Sequence, residues 1–477
     1  MHVRTKLNGL QRMMLRWEEF HPLNAVHVVQ LGDWHEPQAV EDAALGVCRT
    51  IGILPVTFSR RRTSIEFIDE RSDGFETSPL FAHVRVAEPT LTALEAIVDE
   101  QLNHPFAASV DWPIRFLLVE TQAEEQYLVL CYRHVLSDSH GISLLIREIL
   151  RAMQGKPPLV PGLDVAPSTL AQLFPKELGW RGLARRMASA SEELWAARRS
   201  FIPPRRDGST DEFTIQSTIS STQLPTDRVK ETARSMRATV HTLVLAALLE
   251  GFQCLFAEKL RGSRRDTLSI YSPADLRREA GGRVDTALGQ ILGSFTTRLS
   301  IVEGTPFSRI VAAVAAQQTQ SRECRRHREH SAHMNVMSRI WDCVPRIANR
   351  TVGPYLLPQT GFVSNVNLAG FLAEEVASGS VRNYFRFTGT GILSPMMLGV
   401  TTLESNLNIT TTHHTNIFTR SDVDGLIAHI RWRLESGGED VSREELDSQI
   451  VLSIANGRRP VALAALHGQE AASSSAP

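Results

Sequence analysis

The stretch YLVLCYRHVLSDSHG, residues 127–141, joins an apolar run to the start of an amphipathic helix. The run at 127–132 is rich in residues that favour strands, which predicts a buried strand. Downstream, apolar residues recur at helical spacing and predict a helix over about 142–150. His134 lies at the junction, where two rigid elements can aim its ring into a cleft, as a general base requires.

Side-chain alternation along the predicted strand gives His134 a direction. Alternate residues of a strand share a face, so His134 lies on the face of Tyr132, and Arg133 lies on the opposite one. Asp138 follows in the turn, where it can stay ionised by bonding N–H groups at the helix start or by pairing with an arginine. These residues alone leave two interpretations open: a catalytic histidine, or a buried structural histidine beside a helix-capping aspartate.

Length and charge narrow the class of protein. The chain has 477 residues, more than one hydrophobic core usually organises, so two lobes are expected. Apolar residues make up 42% and charged residues 22%, and the net charge of −1 gives no reason to expect nucleic acid or an acidic membrane as partner. Basic clusters at 60–62, 205–206 and 325–328 are interpreted as solvated surface, with docking of an acidic carrier protein or of coenzyme A phosphates as the alternative.

Cysteine usage and the absence of long apolar runs bear on the compartment. The five cysteines are scattered and form no Cys-x-x-Cys pair, which argues against a disulfide scaffold and a structural zinc site. The N-terminus has no apolar signal core, and no run reaches the ~18 apolar residues of a membrane span. We therefore expect a reducing cytoplasm and no membrane span.

The remaining pattern predicts strands and helices that mix without a regular βαβ order. Strands are predicted at about 26–31, 64–68, 114–120, 267–272, 294–301, 361–366 and 406–410. Helices are predicted at about 37–50, 90–102, 180–199, 240–255, 306–323 and 423–434. This mixture favours an α/β fold with mixed sheets over a doubly wound parallel sheet.

Proline clusters divide the chain into segments. Prolines at 157, 158, 161 and 167 begin one segment, and the pair at 203–204 ends it. We predict an N-terminal lobe at 1–160, an inter-lobe connection at 161–212, a C-terminal lobe at 213–460 and a disordered tail at 461–477. A helical connection of this kind can hold two lobes apart and leave a cleft between them.

The spacing His134-x-x-x-Asp138 resembles the HHxxxDG signature of the superfamily that contains condensation domains and chloramphenicol-acetyltransferase-like acyltransferases. Other segments are similar to superfamily blocks in the same order: NHPF at 103–106 with PIRF at 113–116, SPADLR at 272–277 and GSFTTRL at 293–299. The resemblance covers about residues 20–435, with wax-ester-synthase-like and polyketide-associated acyltransferases as the nearest relatives.

Two positions depart from the signature. Arg133 stands where the double-histidine form has its first histidine, and by alternation its side chain points away from the cleft. Ser139 stands where the superfamily has glycine, and Gly141 follows two residues later. If that glycine supplies a backbone shape that only glycine adopts easily, the turn here must differ.

The resemblance implies two chloramphenicol-acetyltransferase-like lobes with mixed sheets and an active-site channel between them. It makes His134 the general base. It makes Asp138, Arg277 and Gly141 structural parts of the motif, with Arg277 paired to Asp138.

A second pair of candidates lies in the predicted C-terminal lobe. Ser364 and Asn365 resemble a Ser-Asn pair that some wax-ester-synthase-like members turn toward the cleft. A hydroxyl and an amide there could bind the acyl carbonyl or the developing oxyanion. The alternative is a polar strand end that caps a neighbouring turn.

The activity implied is transfer of an acyl group from acyl-CoA or an acyl carrier protein to a small-molecule alcohol or amine, without a metal or redox cofactor. Two alternatives stay open. One is a non-catalytic condensation-like protein that recruits a carrier protein or partner enzyme, which Arg133 and Ser139 favour. The other is a stand-alone condensation enzyme that forms amides.

A histidine-rich segment is the remaining candidate for a metal site. His327, His330 and His333 recur every three residues and would lie near one face of a helix. Neighbouring arginines repel a cation, and no acidic ligands accompany the histidines, so we interpret the segment as a solvated face and expect no metal.

Overall fold

The computed structural model describes residues 3–59, 63–68, 79–87, 90–107, 110–159, 191–193, 195–207, 212–220, 223–280, 286–345 and 358–435, with single positions at 174, 209, 284, 349, 353 and 355. The predicted tail at 461–477 and most of the predicted connection at 161–212 lie outside these residues. Of the helix predicted at 180–199, residues 191–193 and 195–199 are described; 191–193 and 195–197 are helical, and 198–199 form a turn.

The strands are Val3–Lys6 (β1), Asn24–Leu31 (β2), Val56–Phe58 (β3), Ser64–Phe67 (β4), Phe81–Val86 (β5), Ile114–Thr121 (β6), Gln126–Arg133 (β7), Ile215–Ile219 (β8), Leu224–Pro225 (β9), Leu268–Asp275 (β10), Leu292–Leu299 (β11), Gly361–Asn367 (β12), Val381–Thr388 (β13), Met396–Leu403 (β14) and Asn406–His414 (β15). The helices are Gly9–Trp17 (α1), Pro37–Ile51 (α2), Thr90–Asn103 (α3), Ser139–Met153 (α4), Thr226–Ser235 (α5), Val240–Leu255 (α6), Ala257–Leu260 (α7), Arg277–Ala280 (α8), Phe307–Glu323 (α9), His330–Cys343 (α10), Ala373–Ala377 (α11) and Arg420–Glu435 (α12). Within the described ranges no single helix has the length and apolar composition to cross a membrane. Helices α5 and α6 have that length and composition only when taken together, and they are bent by 82° relative to each other.

The predicted strand before His134 is β7, the central strand of a five-stranded sheet with the order β13–β2–β7–β6–β5. β7 is antiparallel to β2 and β6, and β5 is parallel to β6, so the sheet is mixed. Its side chains alternate as predicted. Leu128, Leu130 and Tyr132 pack in one core with α1, α2 and α4, whereas Val129 and Cys131 pack in another with α3.

The second sheet has the order β11–β10–β12–β14–β15–β8, with β9 paired to β15. β10, β12 and β14 are parallel to one another, and the other neighbours are antiparallel. Apolar residues of α6, α9 and α12 pack in the core of this lobe, among them Phe252, Val311 and Ile430. The predicted α/β fold, with two lobes and mixed sheets, is confirmed.

One strand ties the two lobes together. β13 lies in the segment predicted as the C-terminal lobe, 213–460, yet it pairs with β2 of the first sheet along its whole length. Its other edge faces β15, where the side chains of Asn408, Thr410 and Thr412 donate hydrogen bonds to alternate β13 carbonyls. The first sheet therefore depends on a strand from the second half of the chain.

Helix α3 covers the free edge of β8 in a similar way. Glu95, Asp99 and Asn103 recur every four residues, so they lie on one face of α3. Their side-chain oxygens accept hydrogen bonds from alternate N–H groups of β8, at 2.7, 2.5 and 2.8 Å respectively. A helix of the first lobe thereby satisfies strand groups that would otherwise lack partners.

We expect Asn103→Leu to lower the free energy of unfolding by about 2–4 kcal/mol, because two partly buried backbone groups lose their partners. The Asn103 amide bonds both the N–H and the carbonyl of Ile215, at 2.8 and 2.7 Å. Urea denaturation measures the change. Thr92→Leu, at an exposed position of α3, is the control and should change the value by less than ~0.5 kcal/mol. Equal losses in both variants would contradict this account of the edge.

Candidate active site

His134 follows the last residue of β7, and its backbone N–H donates to the Leu23 carbonyl at 3.0 Å. Ring atom Nδ1 is 3.2 Å from the carbonyl oxygen of Ser137, so Nδ1 carries the proton and donates it there. Nε2 therefore keeps its lone pair. In the part of the chain that the structure describes, no group hydrogen-bonds Nε2.

The surroundings of His134 keep its ring neutral. The residue is half-buried and lines a cavity of about 630 Å³. Burial lowers the pKa of His134 to about 4, and the Ser137 carbonyl and the Asp138 carboxylate offset only part of that effect. At pH 7 the ring is an uncharged acceptor beside a cavity, not a histidine sealed in the core.

Asp138 is fully buried, and its carboxylate holds the turn that carries His134. One oxygen accepts from the Gly141 N–H at 3.1 Å and caps α4. Arg277 donates to both carboxylate oxygens at 2.8 and 3.0 Å, and the Ile291 N–H adds a bond of 3.0 Å. Burial alone would raise the pKa of Asp138, but Arg277 and the two N–H groups hold it below its ordinary value.

Residues 287–291, here called the strap, come from the second lobe and wrap the motif turn. The Gly289 carbonyl accepts from the Asp138 N–H at 3.1 Å. The amide of Gln290 donates to the carbonyls of Ser137 and His134. Gln290 thus fixes the carbonyl that receives the Nδ1 proton. Sequence reasoning missed this residue, and its only signal was a position just before the GSFTTRL block.

Gly141 is needed for space and not for an unusual backbone shape. A Cβ at this position would lie 2.3 Å from Ser137 Oγ and 3.3 Å from Leu288 Cα. Neither Gly141 nor Ser139 has a positive φ, so the turn forms with serine at 139. The Ser139 hydroxyl accepts a hydrogen bond from Arg386 at 3.1 Å.

Arg386, on β13, is a buried cation that the sequence analysis did not identify. It is 1% exposed and donates to the Thr401 hydroxyl, the Val400 carbonyl, and the hydroxyl and carbonyl of Ser364. Within the described residues no carboxylate pairs with it, and burial lowers its pKa to about 10. An arginine between two phenylalanines was the signal that could have revealed it.

The structure places Ser364 against Arg386 and not in the wall of the cavity. On β12, Ser364 shares the face of Phe362, which does line the cavity, but β13 crosses the sheet at this point. Gly399 of β14 allows the approach, because a Cβ there would lie 2.8 Å from the Arg386 carbonyl oxygen. Asn365 does not line the cavity either. The residues that line the cavity therefore give no support to the predicted contact of Ser364 and Asn365 with an acyl carbonyl.

The cavity lies between the two lobes. The first lobe contributes His134 and apolar side chains of residues 10, 14, 17 and 23. The second lobe contributes one face of β10, β11, β12 and β14, together with α10. Val336 and Ile340 of α10 line the cavity and are also 58% and 45% exposed, so the cavity opens to the surface beside α10.

Two side chains of the histidine-rich segment, those of His327 and His333, lie in different surroundings. His327 is buried and bonds Glu279 at 2.8 Å, whereas His333 lines the cavity. In the described ranges no group of three or more histidine, cysteine, aspartate or glutamate side chains could hold a metal ion. Arg326, from the basic cluster at 325–328, lines the cavity and pairs with Glu192 at 2.9 Å.

No protein-family model and no curated protein matches the sequence. Solved structures match over almost the whole chain. The first condensation domain of the CDA synthetase is 14% identical with a TM-score of 0.64, covering 92% of this chain and 97% of that one. The starter condensation domain of rhizomide synthetase RzmA, a mutant solved with C8-CoA, is 15% identical with a TM-score of 0.61, covering 92% and 96%.

The epimerization domain from the third module of tyrocidine synthetase B is similar as well, at 11% identity and a TM-score of 0.60, covering 92% of this chain and 97% of that one. At sequence identities this low, the similarity is evidence for a shared fold and not for a shared activity. The condensation-domain resemblance expected from the sequence is confirmed at that level.

We expect Arg277→Met to lower the free energy of unfolding by about 3–5 kcal/mol, because it leaves the Asp138 carboxylate buried without its cation. Chemical denaturation at pH 7 measures the loss. The pKa of Asp138 is lower folded than unfolded, so the stabilisation exists above the ordinary pKa and is lost as pH falls below it. Arg199→Met, which breaks an exposed pair with Asp266, should cost less than ~1 kcal/mol, and a similar cost in both variants would reject the assignment.

His134 should titrate near pH 4 in the folded protein, well below the pKa of an ordinary histidine. The unfolded chain binds this proton more tightly, so the free energy of unfolding should fall as pH falls from about 6.5 to 4. Nuclear magnetic resonance of ¹⁵N-labelled histidine follows the ring directly, and comparison with His134→Gln assigns the signal. A midpoint near 6.5 would show that the ring is solvated.

Proposed function

We propose that this chain, which has the two-lobed fold of condensation domains, is an acyltransferase that moves an acyl group from a thioester donor to a hydroxyl or amine acceptor. The observation that carries the proposal is the neutral His134 on the wall of the inter-lobe cavity, with Nε2 free to accept a proton. Further support comes from a starter condensation domain of the same fold that was solved with C8-CoA.

Proton transfer in this proposal runs through one histidine. Nε2 takes the proton from the acceptor O–H or N–H as that atom attacks the thioester carbonyl. Nδ1 keeps its own proton on the Ser137 carbonyl, which steadies the imidazolium that forms. When the tetrahedral intermediate collapses, the C–S bond breaks and the imidazolium returns the proton to the departing thiolate. The acylated product and a free thiol leave, and no step requires a metal or redox cofactor.

Asp138, Arg277 and Gly141 act at a distance in this scheme. None of them lines the cavity, and Asp138 makes its bonds to Arg277 and to backbone N–H groups. They are positioning residues that fix the turn between β7 and α4. We assign no catalytic role to Ser364 or Asn365, because neither residue lines the cavity.

The donor is expected to carry negative charge near the cavity. Arg298 and Arg326 line it, and both pair with glutamates of the connecting segment. An acidic carrier protein would compete with these glutamates for the two guanidinium groups. An amine acceptor would make the reaction an amide-forming condensation, and an alcohol would make it ester formation.

A non-catalytic binding protein is the second candidate, and the departures from the signature favour it. Arg133 pairs with Glu18 at 2.6 Å instead of providing a second histidine. Ser139 is held by Arg386. Thiol release separates the two functions. The binding protein would be supported if no thiol were released with any acyl-CoA or acyl-carrier donor, alcohol or amine tested while the protein bound a carrier tightly.

We expect His134→Ala to lower the rate of acyl transfer by about 10²–10⁴ while the protein stays folded, since general-base assistance has that size. Thiol release from acyl-CoA or acyl-carrier donors measures the rate, and circular dichroism checks folding. His104→Ala, an exposed histidine of the NHPF block, is the matched control and should keep wild-type turnover. Unchanged turnover in His134→Ala would reject His134 as the base.

A further inference from the structure

Strand β11 runs along the cavity, so the spacing of its residues measures the length of the cavity. Leu292, Ser294, Thr296 and Arg298 are alternate residues of this strand, and all four line the cavity. The row begins beside the motif, because Gln290 donates to the His134 carbonyl two residues before Leu292. At a rise of ~3.3 Å per residue, Thr296 lies about 13 Å beyond Leu292, and Arg298 about 20 Å.

The floor beside Thr296 is apolar. Tyr271 is the register partner of Thr296, and it continues across the sheet into Phe362 and then Met397. The rings of Tyr271 and Phe362 stack with centroids 5.0 Å apart. Helices α1 and α10 add apolar cavity residues at 10, 14, 17, 334, 337 and 340. Three of these are methionines, whose flexible side chains adapt to an aliphatic ligand.

The wall changes from apolar to charged at Arg298. Its guanidinium pairs with Glu193 at 2.5 Å, and its backbone N–H and carbonyl both bond the Gln317 amide, at 3.0 and 2.7 Å. The Arg298 Nε, by contrast, has no hydrogen-bond partner among the described residues, so this end of the cavity holds a charged group that is only partly satisfied. An aliphatic chain pushed against these polar groups would remove water without replacing its hydrogen bonds, so the favourable stretch ends at Thr296.

We propose that this cavity binds an unbranched aliphatic chain attached to the reacting group at His134, and that Thr296 with the Glu193–Arg298 pair sets its length. An extended chain advances ~1.25 Å per carbon, so the 13 Å stretch corresponds to about ten carbons. This inference rests on the proposed function and names its substrate class. The chain belongs either to the acyl donor or to the acceptor.

Calorimetric titration of the whole chain with hexanoyl-, decanoyl- and hexadecanoyl-CoA tests the donor arm without requiring turnover. The wild-type protein should bind the decanoyl ester at least about tenfold more tightly than the hexanoyl ester, because added buried methylenes strengthen binding. The hexadecanoyl ester should gain nothing further. The acceptor arm uses hexylamine, decylamine and hexadecylamine in the same way, and chain-length dependence in one arm assigns the chain to donor or acceptor.

Thr296→Phe should abolish the preference for ten carbons over six in the arm that shows it, because the ring fills the cavity about 13 Å from Leu292. Thr296→Val, which keeps the volume, should retain the wild-type ratio. Affinities independent of chain length in both wild-type arms would overturn the inference, and so would a Thr296→Phe ratio equal to that of the wild type. The wild-type series decides the matter even if the phenylalanine variant does not fold.

The outcomes also separate this inference from the proposed function. Chain-length-dependent binding without thiol release from any donor would reject acyl transfer and keep the aliphatic site. Thiol release at a rate independent of the chain length of donor and acceptor would support acyl transfer and reject the aliphatic site.

Discussion

The buried ion pair between Asp138 and Arg277 is the interaction on which the candidate site depends. Two charges removed from water stabilise a structure only when their remaining hydrogen-bonding groups are also satisfied. Here the N–H groups of Gly141 and Ile291 complete the carboxylate, and the Ala287 carbonyl and the Asp275 carboxylate accept from the guanidinium, so that among the described residues only its Nε is without a hydrogen-bond partner. Because Asp138 comes from one lobe and Arg277 from the other, the turn that carries His134 is completed only when the lobes dock.

The same docking gives His134 its electrostatic character. A histidine at the end of an exposed strand would be partly protonated near neutral pH, whereas burial between the lobes lowers the pKa of this one to about 4. The ring is therefore a weak base that stays unprotonated at neutral pH. Such a base suits an acceptor that attacks a carbonyl already activated as a thioester. Gln290 and the Ser137 carbonyl set which nitrogen is available, by fixing where the Nδ1 proton goes.

A second buried cation joins the lobes without a described carboxylate partner. Arg386 lies on the strand shared between the sheets and donates to Ser139 of the motif helix and to Ser364 and Thr401 of the second sheet. Burial lowers the pKa of Arg386 to about 10, and its neutral hydrogen-bond acceptors do not offset that effect with a charge of their own. The hydroxyl of Ser139 is one of those acceptors, so the serine that departs from the superfamily signature has a structural partner.

The sequence by itself determined what depends on neighbours along the chain. The period of two in β7, the helical period after residue 142 and the capping aspartate between them are local patterns, and the predicted elements there are present in the structure. The chain length predicted two lobes, and the resemblance to the superfamily implied the Asp138–Arg277 pairing. Only the tertiary structure decided which elements meet. β13 was not predicted, and its crossing over β12 turned Ser364 from an expected cavity residue into a partner of Arg386. Pairing between strands hundreds of residues apart leaves no periodic signal in the chain, so the cavity wall, the strap and the shared strand could be found only in three dimensions.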